Sequence, residues 1–351
     1  MRSALGCVLP LLALVGCHSP LEKVFSTSGD APSRSGLTAL GEGAVFGNEA
    51  GRVLRLGAQG EVVWTAELAH EVRLAPAVVQ QTVVATTTGT DVVGLDAATG
   101  ARLWRIDLPR TAAALCGIGS TAFVLTDDGE LVALEARTGV VQSRTAWATA
   151  LGLHPPSPAR LTLVAAPGER LLLGGPAAVL ALGADSARRW RALVRETLGL
   201  LVQEGLVYTV DPSGRVLALD LESGEVRWQR ALGARPASSA AYALDRLWVG
   251  LDNQTLVGFR PKGEDPLWTV QVPGPVVAPL VEFQGRLLVP TGAREGRLLA
   301  LEVGAPGNPA SAQLDSPLRS SPLVRGDSVW VLAQDGRVVG FRLRSVAGSG
   351  R

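Results

Sequence analysis

The sequence predicts an all-β protein: one eight-bladed β-propeller of four-stranded antiparallel blades, closed by an N-terminal strand that completes the last blade. Three observations carry this expectation. A short apolar element recurs eight times, its spacing stays near 40 residues, and turn-forming residues bracket the copies and leave little room for helix. The copies are Val53-Leu-Arg-Leu56, Val92-Val-Gly-Leu95, Leu131-Val-Ala-Leu134, Val179-Leu-Ala-Leu182, Val216-Leu-Ala-Leu219, Leu256-Val-Gly-Phe259, Leu298-Leu-Ala-Leu301 and Val338-Val-Gly-Phe341. Their last residues are 39, 39, 48, 37, 40, 42 and 40 apart. A chain of 351 residues would otherwise suggest two domains. The repeat instead predicts a signal peptide at 1–16, a lipidated tether at 17–21, one propeller over 22–343 and a C-terminal tail at 344–351.

Taken in order, the chain begins with Arg2 and an apolar run from Ala4 to Gly16, the layout of a secretory signal and too short to span a bilayer. No Ala-x-Ala cleavage site follows. Leu14-Val15-Gly16-Cys17 instead resembles a bacterial lipobox, which makes Cys17 the lipidated first residue of the mature chain. The alternative is an ordinary export signal or a buried anchor. His18, rather than Asp, follows the cysteine; in lipoproteins of enteric-type bacteria this implies sorting to the outer membrane. A triacylated cysteine carries enough acyl chain for stable anchoring.

Next comes Glu22-Lys-Val-Phe25, which matches Glu61-Val-Val-Trp64 at an offset of 39 with Phe in the Trp position. The eighth unit runs through Phe341 and lacks a tryptophan strand of its own. Residues 22–27 are therefore expected to supply that blade's outer strand and pair edges that would otherwise be exposed. The competing expectation is a flexible tether, which the stretch from Ser26 to Ser35 partly resembles.

The unit at 206–232 shows the blade pattern best. Leu206 to Val210 reads as a strand, Asp211-Pro-Ser-Gly214 as a turn, Arg215 to Leu219 as the next strand, Asp220 to Gly224 as a second turn, and Glu225-Val-Arg-Trp228 as the outer strand. Asp hydrogen-bonds its own backbone and Gly tolerates positive φ, so both turns have their chemistry in place. Trp64, Trp104 and Trp228 stand four residues after a turn glycine, with Trp190 and Trp268 as less regular counterparts. One tryptophan per repeat predicts blade-to-blade docking, with Phe25 in that role at the seam. A ligand cage would need these rings to converge, and a ring of blades spreads them. Ser143 and Ala310 hold the Trp position in the third and seventh units, where weaker docks are expected.

Two connections break the rhythm, Leu151 to Pro158 and Gly304 to Pro309. Connections between blades share one rim with the hairpins joining second to third strands. That rim is the expected partner surface, with Arg195, Glu196, Leu198 and Arg294 as candidate contacts; an ordinary solvated rim is the alternative.

Composition narrows the function. With 47% hydrophobic and 19% charged residues the chain is globular, and 33 basic against 32 acidic residues rule out nucleic acid held by bulk charge. Cys7, Cys17 and Cys116 form neither a disulfide framework nor a zinc site, and His18, His70 and His154 are scattered through loops. Cys116 lies in the apolar run 112–117 and reads as a core residue rather than a nucleophile. No catalytic group, metal or cofactor is expected.

The segments Gly94-Leu-Asp-Ala-Ala-Thr-Gly-Ala-Arg-Leu-Trp104 and Ala218-Leu-Asp-Leu-Glu-Ser-Gly-Glu-Val-Arg-Trp228 resemble the repeat of quinoprotein-like eight-bladed propellers (PQQ-type repeats). With the lipobox, the chain resembles the BamB family of propeller lipoproteins. That resemblance implies a periplasm-facing protein-binding scaffold in outer-membrane β-barrel assembly, with the core subunit of the barrel assembly machine as partner. The family's partner surface includes a long acidic connection near mid-ring; here the corresponding stretch is the short Leu193 to Leu200. Alternatives from other classes are a propeller binding a small ligand or polysaccharide and a quinone-cofactor (PQQ) dehydrogenase. The latter type carries vicinal cysteines, which this chain lacks.

Overall fold

A computed structural model describes residues 21–153, 160–261, 267–304 and 309–344. Cys17, His154 and the remainder of both irregular connections lie outside the described residues. Thirty-two strands among the described residues, β1 to β32 in chain order, form eight four-stranded antiparallel sheets. Seven sheets take consecutive strands, spanning 38–67, 77–107, 112–146, 162–193, 200–231, 241–271 and 281–313. The eighth joins β30 (Leu323–Arg325), β31 (Ser328–Leu332) and β32 (Arg337–Leu343) to β1 (Leu21–Ser28). Innermost strands of successive blades touch all the way round.

The seam forms where the offset of 39 placed it, one residue longer at each end. Leu21 pairs with Leu343, Phe25 with Gly340 and Ser28 with Arg337, while Arg344 holds Glu22 through two hydrogen bonds of 2.9 Å. The stretch after β1 is not a tether: Ser33 is buried and its hydroxyl donates to the Gly47 carbonyl at 2.6 Å.

The core is divided. Eight buried clusters occupy the eight blade interfaces. This explains the all-apolar repeat element, because successive residues of a strand face opposite sides. Leu131 and Ala133 pack toward blade four, and Val132 and Leu134 toward blade two. A strand buried on both faces reads as a continuous apolar run.

Trp64, Trp104 and Trp190 are buried and dock alike. Each indole N–H donates to a carbonyl of the next blade: Ala97 at 3.1 Å, Ala136 at 2.8 Å and Leu221 at 2.9 Å. Each ring covers that blade's turn glycine, Gly100, Gly139 or Gly224, where φ is +74°, +74° and +73° and a Cβ would fall 2.5 to 2.7 Å from the indole. The motif thus carries half of two joints, since its glycine receives one indole and its tryptophan reaches onward. Phe25 repeats the arrangement over Gly60 and meets Trp330 edge-on at 4.9 Å. Trp228 packs instead against Tyr208 and Phe259, at 5.8 and 6.1 Å, and Trp268 meets Trp248 at 5.1 Å.

The turns follow the expected chemistry. Asp220 accepts the backbone N–H of Glu222 and Ser223 and the Arg227 guanidinium. The Arg227 hydrogen bond, with those N–H groups, holds the Asp220 carboxyl down at about 2. Helix is confined to one turn among the described residues, α1 (Ala148–Leu151).

Candidate partner-binding surface

The antiparallel order puts connections between blades on the same face as the hairpins between second and third strands. Residues 194–199 link blades four and five. Thr197 is fully buried and the Leu198 N–H donates to the Val210 carbonyl at 2.9 Å, so the segment is pinned at its middle. Arg195 and Glu196 are exposed just before that anchor, and Leu198 is half-buried.

Leu193, at the end of the preceding outer strand, is 72% exposed, the highest value among the exposed large apolar side chains. Beside it, Arg191 Nε donates to the Ala150 carbonyl at 2.9 Å, and the Leu151 carbonyl accepts the Ala177 N–H at 3.0 Å. The start of the irregular connection is therefore docked on blade four, with Leu151 and Leu153 buried. The face at blade four presents an apolar side chain between cations, with a fixed backbone beneath it.

Arg294 is exposed on the hairpin of blade seven, where Gly296, at φ +48°, turns the chain and Arg297 pairs with Glu295 at 3.2 Å. It shares the face with Arg195, but the ring separates them, blade seven from the joint of blades four and five. The two arginines belong to separate patches. Leu193 was missed as a candidate by sequence reasoning, although alternation marks it, since in Trp190-Arg-Ala-Leu193 the buried Trp190 and Ala192 leave Leu193 outward.

Farther round the same face is a polar cluster. Asp91, almost fully buried, accepts hydrogen bonds from Thr87 at 2.9 Å and Arg105 at 2.8 Å, and lies 3.2 Å from His70. Burial pushes its carboxyl up, but the hydrogen bonds of His70 and Thr87 and the Arg105 charge outweigh it, so the net shift is downward. Beside it a cleft of about 420 Å³ is lined by Glu49, His70, Glu71, Arg73 and Thr88. On the opposite face, a cleft of about 500 Å³ lies beside the inter-blade pair Arg170–Glu222.

Among the described residues no group of three or more His, Cys, Asp or Glu is placed to hold a metal ion. Burial pushes the Cys116 thiol up to about 12, which keeps it protonated and poorly nucleophilic. It is the single cysteine among the described residues, so the vicinal pair of quinone-dependent dehydrogenases has no counterpart here.

Comparison with known proteins agrees with this architecture. A solved structure of BamB from Moraxella catarrhalis matches with a TM-score of 0.76 at 18% identity, over 92% of this chain and 99% of that one. Quinohemoprotein alcohol dehydrogenase from Comamonas testosteroni matches with a TM-score of 0.73 at 12% identity, over 95% of this chain and 78% of that one; both likenesses show the fold alone. The outer membrane protein assembly factor BamB of Yersinia pestis is 24% identical over 329 residues, 90% of this chain and 73% of that protein. These curated relatives are named as assembly factors, not as enzymes. The family model described as outer membrane protein assembly factor BamB matches residues 18–230, and the chain belongs to the BamB family.

Proposed function

We propose that the protein is a non-catalytic scaffold of outer-membrane β-barrel assembly, facing the periplasm and held to the outer membrane by lipid on Cys17. The family match over residues 18–230 carries this reading. The lipobox-like Leu14-Val-Gly-Cys17 supports the anchor, and a rigid ring with a structured rim suits a protein-binding role. The partner is a protein of the assembly machine, in the first place its core subunit. The contact surface is the face bearing Leu193, Arg195, Glu196 and Leu198, with Arg294 as a second patch.

Affinity purification of the tagged lipoprotein from membranes tests the function directly: a barrel assembly subunit should co-elute. Charge reversal at Arg195 and at Arg294 tests the surface. Arg195→Glu should weaken the pull-down without moving the melting temperature, since the side chain is exposed. Unchanged recovery in both variants would remove this face from the reading, and an eluate free of assembly subunits would remove the function.

A further inference from the structure

The outer strands of six blades carry one extra residue just before the docking position. The ladder skips Val24, Val63, Leu103, Gln142, Arg189 and Arg227. A bulged residue has no cross-strand partner, so its chemistry is open to the surroundings, and all six are exposed.

The chemistry differs round the ring. In blades eight, one and two the bulge is Val24, Val63 and Leu103, 38%, 46% and 43% exposed. Val62 beside it is 45% exposed, and in blade three Val140 and Val141 flank the same site at 61% and 39%. Blades four and five place Arg189 and Arg227 there, with Val226 the one exposed large apolar residue near those two bulges. Scattered exposed apolar residues need no explanation, but six that recur on four successive blades at one end of the outer strands call for one.

The chain enters at that same end. Leu21 begins β1, the outer strand of blade eight, and Cys17 precedes it by four residues, a reach of roughly 14 Å when fully extended. If Cys17 bears lipid, as the proposed function has it, blade eight must lie near the bilayer.

We propose that the arc of Val24, Val62, Val63, Leu103, Val140 and Val141 is a lipid-contact surface, resting on the interfacial region of the bilayer that holds the Cys17 acyl chains. Lys23 and Arg102 are exposed beside Val24 and Leu103, where a long cationic side chain can lay its stem on apolar surface and reach a phosphate. The arginine-bearing arc of blades four and five then faces water.

The test uses the lipidated protein in phosphatidylethanolamine/phosphatidylglycerol vesicles containing a fluorescence-quenching lipid. Single cysteines replace Val63, Leu103, Arg189 or Arg227 in a Cys116→Ala background, and each carries a fluorescent label. Labels at 63 and 103 should be quenched several-fold more than those at 189 and 227. Adding Val24→Asp and Val62→Asp should remove the difference while the protein still floats with the vesicles and melts unchanged. Equal quenching at both arcs in floating protein would overturn the lipid-contact surface and leave the anchor standing. Protein that does not float would show that Cys17 is not the anchor, and the surface would fall with it.

Discussion

Between blades two and three, Trp104 lies over Gly139 and donates to the Ala136 carbonyl; between blades three and four, Ser143 holds the equivalent position, and Trp147, just after the outer strand, packs on the joint instead. The second joint is not left thin. Leu151, Leu153 and Leu161, from the connection between the blades, join Phe123, Leu125 and Leu131 of blade three and Leu163, Leu171 and Leu173 of blade four. One joint is directional, fixed by a hydrogen bond and a ring on a bare backbone. The other is apolar and relies on buried area. Ser143 leads to the expectation of a weaker dock; the joint also buries Leu151 and Leu153 of the connection, side chains that no repeat position marks.

The seam sets the outer limit of this comparison, because there a joint depends on a strand from the far end of the chain. Deleting residues 20–27 while keeping Cys17 should destabilise more than any single substitution, since it removes all of the β1 ladder but Ser28, and with it Phe25, a side chain of a class worth about 3–5 kcal/mol when buried. Thermal melting checks this, and a shift of a degree or two would mean that the ring closes without β1.

Trp104→Ala and Leu173→Ala then compare the two joints. Trp104→Ala should cost about 3–5 kcal/mol and Leu173→Ala about 2–5 kcal/mol by denaturant unfolding. The tryptophan variant also strands a buried carbonyl, so it should remain the more costly even per methylene removed.

Gly139→Ala sharpens the directional joint without removing the indole. The new Cβ would meet the Trp104 ring at 2.5 Å in a backbone at φ +74°. Gly205, at φ +73° with nothing within 4 Å, is the control. Gly205→Ala should cost about 1–2 kcal/mol, the left-handed backbone term alone, and the excess at Gly139 measures the joint. Equal losses would mean that the indole moves aside freely.

The smallest effect concerns acid. Asp91 has a lowered pKa in the folded protein, so its contribution is fully present above the ordinary carboxylate value of about 4 and is lost as pH falls through the lowered value. Asp91→Asn should lower stability at neutral pH and flatten the profile below about pH 4. A variant with the parent's acid limb would show that His70, Thr87 and Arg105 do not favour the ionised form.

Much of the fold was legible because its signals are local. Asp220 to Gly224 encodes a turn within five residues, and Val216 to Leu219 announces a strand buried on both faces. The seam was legible because Phe25 stands where a repeat places Trp. Trp248 and Trp330, fully buried partners of Trp268 and Phe25, were not assigned. For Trp248 a signal was present in glycine, since Leu256-Val-Gly-Phe259 carries Gly where half of the copies carry Ala, and the Trp248 ring lies over Gly258; over Gly340 the ring is that of Phe25.

The candidate surface was legible only as a set of loops. Arg195, Glu196, Leu198 and Arg294 were placed on one face by strand count, yet their division into two patches and the exposure of Leu193 depend on how blades stand round a ring. By itself the sequence determined the number of blades, the strands within each and the closing strand, because hydrogen-bonded turns and period-two burial are settled among near neighbours in the chain. Only the tertiary structure decided what fills the joint where Ser143 holds the docking position, which ring covers which glycine and which bulges share an arc. Those contacts join residues tens of positions apart, and the rotation from one blade to the next, which no local pattern encodes, brings them together.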